Sequence, residues 1–236
     1  VGIIEYFSRP GGVPVYGILG IVSGLRKDEE RVVGGSFWQE LVQRCEQLGG
    51  VTRRNGWGAR FEPEKLSFVL LDMLSENNIC LALLTQLVAA EVRERRVEHV
   101  FLSSKAGLEA WRAGLFVDAT GDGDLAALAG AEFCYGRESD GKVQSSSLTF
   151  KLGGIDLERV PATMVDASKI WAAHEHTVPT NHTVITYLPG TNGEAAVNMT
   201  HILDCDPLTH EGLLRIRKEG TAQAFEIAEF FRGHLP

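Results

Sequence analysis

Long apolar runs are missing from this 236-residue chain. No stretch approaches the ~18 apolar residues of a membrane-spanning helix, so no membrane association is expected. A basic stripe is missing too. The formal net charge is −8 and the pI is near 5.4. Phosphate neutralisation supplies most nucleic-acid affinity, so nucleic acid is not an expected partner. The densest basic stretch, Arg93 to Arg96, is broken by Glu94 and flanked by Glu91 and Glu98, and reads as a solvated turn. Cysteine is sparse: Cys45, Cys80, Cys134 and Cys205 form no CxxC pair. That spacing predicts no metal or iron–sulfur site, but four reduced, mostly buried thiols in a cytoplasmic chain. The opening VGIIEYFSRPGG lacks a secretory signal and an initiator Met.

What is present fits an ordinary globular protein. Hydrophobic residues make up 44% and charged residues 23%, which excludes a disordered or fibrous chain. The length suits one large domain or two coupled ones. Residues 1–35 are Gly-rich and read as irregular. A helix follows, with Ser36 and Gln39 as a capping box and Phe37, Leu41, Cys45 and Leu48 on one face. A second helix enters at Pro63 and turns Leu66, Leu70, Met73 and Leu74 inward. After Asn78 the period changes from 3.6 to 2. Residues 79–118 then read as an antiparallel meander around Arg95-Arg96, ending in Leu115-Phe116-Val117, a strand expected to be buried on both faces. Further strands are expected at 146–151, 184–188 and 195–200, and helices at 161–173 and 209–233. The last should bury Phe225, Ala228 and Phe231. The fold class is α/β to α+β.

The segment LFVDATGDGD (115–124) carries the clearest chemical signal. A strand that ends in a Gly-rich turn and a helix start places backbone N–H groups where open α/β folds bind ligands. Asp118, Asp122 and Asp124 would repel a pyrophosphate there. The turn therefore suits hydroxyl or ring N–H donors, or simply caps its own helix. A calcium loop counted from Asp118 needs Glu at its twelfth position and finds Ala129.

The phrase VDATGDGDLAALAGAEF resembles the Ala-Thr-Gly segment of the FAD-dependent oxidoreductase family, the group that includes relatives of the flavin subunit of heterodisulfide reductase. VVGGSFWQELVQRCEQLGG is similar to that family's Gly-Gly entry to a helix. FEPEKLSFVLLDMLSENNICLALLT is similar to the helix before its meander. SSSLTFKLGGID and VNMTHILDCD resemble substrate-side strands, and TAQAFEIAEFFRGHLP a long late helix. The resemblance implies a partial FAD/NAD(P)-binding-type fold, with the remainder of a FAD-binding-type domain at 1–130 and a substrate-side β region at 131–236. The chain departs from the family at both ends: it has no G-x-G-x-x-G segment and no closing flavin-ring segment. It therefore reads as the central portion of a longer protein.

The resemblance places Ala119, Thr120 and Gly121 near FAD, with Asp118 and Asp122 beside them and Gly34-Gly35 as further cofactor-side residues. His201, on a substrate-side strand, is the catalytic candidate; His174 and His176, two residues apart, share no helix face. FAD is the expected cofactor of the full-length family, and this chain alone is not expected to hold it tightly. A small-molecule substrate and a complementary chain or second copy are the expected partners. A cofactor-free interaction domain is the alternative.

Overall fold

The computed structural model describes residues 1–22, 35–54, 58–156, 158–159, 164–180 and 183–234. In chain order its first elements are β1 (Gly2–Ile4), α1 (Gly12–Tyr16), β2 (Ile21–Val22), α2 (Gly35–Gln47), β3 (Val51–Arg54) and β4 (Gly58–Phe61). Next come α3 (Pro63–Glu76), β5 (Cys80–Ala82), β6 (Gln86–Arg93), β7 (Arg96–Ser104), β8 (Gly107–Arg112) and α4 (Asp124–Leu128). The last are β9 (Phe150–Leu152), α5 (Met164–Ala173), β10 (Ile185–Tyr187), β11 (Ala195–Val197) and α6 (His210–His234). The start of the chain is thus more regular than its glycines suggest. Mixed α and β elements around small sheets agree with the class read from the sequence.

The elements form two compact units, one from Val1–Pro10 with Leu70–Tyr135, the other from Gly11–Val69 with Gly136–Pro236. In the first, β1 pairs in parallel with β5, Ile3 opposite Leu81. The meander β6–β7–β8 is antiparallel throughout, as the alternating pattern predicts. Its inner face carries Val100 and Leu102, on which Leu125 of α4 packs with Ile4, Leu87, Trp111 and Phe116.

The β6–β7 loop is Glu94-Arg95, one residue ahead of the expected turn, and both residues have positive φ (46° and 64°). This is the geometry of a type I′ turn, which Asn-Gly adopts readily and an ordinary L-residue only at a cost. Replacing the pair through Glu94→Asn and Arg95→Gly should raise stability by about 1 kcal/mol. Chemical denaturation would read this as a higher midpoint at unchanged slope; an unchanged midpoint would argue against the turn.

Leu115-Phe116-Val117 is a correction. It is not a strand, and Leu115 and Val117 are 81% and 77% exposed. Only Phe116 turns onto the core. Burial on both faces needs a strand on each edge and cover above and below, and the described residues supply cover on one side alone.

In the second unit, β2–β4–β3 is antiparallel, and so is β10–β11–β9, with Thr186, Ala196 and Lys151 in one register row. Ile185, Ala195 and Val197 of the second sheet pack against Trp171 of α5 and Ile227, Phe230 and Phe231 of α6. Glu62, 5% exposed, immediately precedes α3: its carboxylate accepts the Lys65 N–H at 2.8 Å and faces Lys151 Nζ at 3.9 Å.

Two amphipathic faces are rotated from their sequence expectation. In α2, which begins at Gly35 and so places Ser36 within the helix, Leu41, Val42 and Cys45 are buried while Phe37 and Leu48 are exposed. In α6, Phe225 is 69% exposed, and the inner face runs through Gly220, Ile227, Phe230 and Phe231. Gly220 sets that rotation, since a Cβ there would lie 2.9 Å from Leu148 Cβ. The cysteines are free, yet of the four only Cys45 is buried, and burial pushes its thiol up to about 11.

Candidate functional site

The turn 118–124 is held at both ends by apolar anchors, Phe116 before it and Leu125 after it, both on the meander core. Between them the polar groups satisfy one another. Asp118 Oδ1 accepts the Thr120 N–H at 3.0 Å and the Thr120 hydroxyl at 2.7 Å, and Asp118 Oδ2 accepts the Ala126 N–H at 2.9 Å. The Thr120 hydroxyl oxygen in turn accepts the N–H groups of Gly123 and Asp124, at 3.1 and 3.0 Å. Gly121 and Gly123 bend the chain with φ of 91° and 78°, conformations that glycine adopts without strain.

These contacts are a helix cap with an electrostatic consequence. The Thr120 amide first, then the Ala126 amide, the Thr120 hydroxyl and the Leu125 amide hold the Asp118 carboxyl below its ordinary range, against a partial opposition from burial. A depressed folded-state pKa adds stability above the unfolded value, near 3.9, and loses it as pH falls through the folded value. Both Asp118 oxygens accept and an asparagine has only one, so Asp118→Asn should cost about 1 kcal/mol at pH 7, roughly 3 °C in Tm. The gap between variant and wild type should begin to narrow below about pH 4 and close only once the pH is below the depressed folded-state value. Thermal melts in steps from pH 7 down to about pH 2 test this, and a gap that stays constant through acid would contradict it.

Whether this turn fits a flavin dinucleotide is decided by its donors. A pyrophosphate needs unoccupied N–H groups at a helix start, without competing negative charge. Here the amides of Gly123, Asp124 and Ala126 are already bonded internally, and Asp122 and Asp124 add two further carboxylates. The turn does not fit the phosphates. Of its exposed residues Ala119, Thr120, Gly121 and Asp122, the Ala119, Gly121 and Asp122 amides have no acceptor among the described residues.

The other sequence candidates lie in the second unit. Gly35 opens α2 with φ of 63° and open space around its Cα, while Gly34 falls outside the described residues. His201 is half-buried. Its backbone is clamped by Gln223 of α6, which accepts the His201 N–H at 2.7 Å and donates to its carbonyl at 3.0 Å. The ring Nδ1 lies 3.2 Å from the Met199 carbonyl. Sequence reading passed over Gln223, whose amide on the inner side of an amphipathic helix was the available signal. Asp118 to Asp122 are thus brought together by one turn, whereas Gly35 and His201 belong to a different unit.

A polar cavity of about 530 Å³ lies at the β6–β7 end of the meander, lined by Arg93, Glu94, Arg96, Glu98, His99 and Arg112. None of the sequence-chosen residues lines it. Arg112 faces Glu98 at 3.8 Å, and His99 and Arg93 both bond to Glu91 outside the lining and hold it below the usual carboxylate range.

No helix among the described residues is long and apolar enough to cross a membrane, and no group of three or more metal-ligating side chains occurs among them. Comparison with curated proteins finds no match. Among solved structures, the chain is similar to BexE, described for oxidation during BE-7585A biosynthesis, at 15% identity and TM-score 0.45, covering 89% of this chain and 40% of that one. It is also similar to L-proline dehydrogenase from P. horikoshii, at 12% identity and TM-score 0.40, with 81% and 48% covered. A third is p-nitrophenol 4-monooxygenase PnpA from Pseudomonas putida DLL-E4, at 15% and 0.41, with 100% and 56% covered. The chain spans about half the length of these structures, and likeness this distant transfers no property. The family model is decisive instead: that of FAD dependent oxidoreductase matches residues 1–236 from end to end, and the chain belongs to this family.

Proposed function

We propose that this chain is the central portion of a flavin-dependent oxidoreductase and, taken alone, does not retain FAD. In the family reading, flavin supplies hydride or electron transfer, and the protein binds, orients and tunes it. The 118–124 turn contributes positioning near ribityl or ring groups through Gly121 and Asp122, and His201 is the substrate-side catalytic candidate. Within the family, the motif phrases favour relatives of the heterodisulfide reductase flavin subunit. Free thiols suit a cytoplasmic setting.

The observation that carries this reading is the self-satisfied cap. A dinucleotide brings two negative phosphates, whose burial without paired donors costs several kcal/mol. Three remaining amides, at about 1 kcal/mol each, fall well short of the ~8 kcal/mol behind a micromolar complex. Purified protein should show no stoichiometric absorption near 450 nm, and added FAD should leave its Tm unchanged. A bound yellow chromophore, or a clear rise in Tm with FAD, would overturn the proposal. The same observation, together with the exposed Leu115 and Val117, supports a second reading as a cofactor-free interaction domain. Activity reconstituted by adding the missing family segments would decide between the two.

A further inference from the structure

The ends of α5 and α6 bring together rings that are far apart in sequence. Phe230, 3% exposed, stacks on His234 with ring centres 4.6 Å apart and planes at 18°. His174 approaches Phe230 at 4.9 Å and His234 also at 4.9 Å, so the three rings form a near-equilateral triangle, with the two imidazole planes at 64°. Both histidines sit on firm supports. The His174 N–H donates to the carbonyl of Trp171, a residue with no exposed surface. His234 Nδ1 lies 2.9 Å from the Phe230 carbonyl. That contact makes Nδ1 the protonated, donating nitrogen and leaves Nε2 with its lone pair, the arrangement in which metal-ligating histidines are found. Neither ring nitrogen of His174 has a hydrogen-bond partner among the described residues, and both side chains reach solvent.

The spacing is compatible with a shared ion. An imidazole nitrogen lies about 1.1 Å from its ring centre and a bound zinc ion about 2.1 Å beyond it. Two rings ligating one ion at roughly 90–110° therefore have centres about 4.5–5.3 Å apart. The observed 4.9 Å falls inside that window. We propose that His174 and His234 form a two-histidine site for a divalent transition ion of the copper, zinc and nickel class. No third His, Cys, Asp or Glu completes the cluster among the described residues, so water fills the remaining positions. Two imidazoles alone give modest affinity, in the order copper above zinc. The third nearby imidazole, His176, stands apart. It stacks on the far-buried Trp171 at 4.2 Å, with its own Nδ1 on the Val178 carbonyl.

A bound ion would tie the end of α5 to the end of α6, and its binding can be read without any flavin chemistry. Untagged protein titrated with copper(II) chloride should take one equivalent and lose part of its indole fluorescence, because the Trp171 ring centre lies 6.4 Å from that of His174. Zinc should bind at the same site more weakly and compete. His174→Gln and His234→Gln should each weaken binding more than tenfold. His210→Gln, at the opposite end of α6, should leave it unchanged. Electron paramagnetic resonance of the wild-type copper complex reads the ligands directly and does not depend on how the variants fold; two equivalent imidazole nitrogens are expected. No stoichiometric uptake, a single coordinated nitrogen, or full affinity in either folded variant would overturn the site.

Discussion

Replacing Trp171 with alanine should remove about 4 kcal/mol of stability, the largest effect expected of any single truncation in the second unit. The indole has no exposed surface. It meets Phe230 edge-on at 4.8 Å and 82°, and it stacks on His176. Its Nε1–H donates to the Thr180 carbonyl at 2.7 Å. Truncation loses the aromatic contacts, leaves a cavity and removes the part-buried hydrogen bond to Thr180 at once. Trp171→Phe keeps part of the ring packing and should cost roughly half as much. Against a total of about 5–15 kcal/mol, the alanine variant gives up about a quarter or more of the fold's stability. Urea unfolding measures this directly, and a loss below about 1.5 kcal/mol would mean that the site collapses around the gap.

Gly190→Ala should be comparably damaging, through backbone and not core. Gly190 lies in the β10–β11 turn with φ of 67°, and an added Cβ would stand 2.2 Å from the Gly49 carbonyl oxygen and 2.6 Å from Lys65 Nζ. The lysine end could swing away, but it already donates to that same carbonyl at 3.2 Å, and the carbonyl itself belongs to the turn that closes α2. The expected loss is about 3 kcal/mol or more. Gly141→Ala is the internal control. Gly141 has a similar φ of 70° with nothing within 4 Å of a new Cβ, so only the conformational cost of about 1 kcal/mol applies. Equal losses at the two positions would show that the close approach to Gly49 yields easily.

Much of the fold was legible because its signals are local. Pro63 and the apolar spacing after it define α3, the alternation after Asn78 defines the meander, and the long period-3.6 segment defines α6. Faces were less legible. The choice of Phe225 over Ile227 for the inner side of α6 followed spacing alone. Gly220 against Leu148, and Gln223 clamping the His201 backbone, decide it instead, and both are contacts across distant sequence. Leu115 and Val117 failed for a related reason: an apolar run reports what a segment could bury, not whether strands lie on both of its edges. In the turn, the residues Asp118 and Thr120 were identifiable from their types. That their oxygens are consumed within the turn depends on the geometry of Gly121 and Gly123, which no spacing rule conveys.

The interleaving of the two units bears on how the chain is made. β1 must wait for its partner, since Gly2 pairs with Cys80, and closing a loop of that length costs about 4 kcal/mol of chain entropy before any contact repays it. On the ribosome the first unit can therefore close only after its second segment has emerged. The second unit needs α6, at the far end, to cover its sheet. Until α6 emerges, β9, β10 and β11, the strands it packs on, stand without that cover, a period in which unpaired strand edges invite association with other nascent chains. Slower refolding than the small size of either unit would suggest is built into the order of the segments along the sequence.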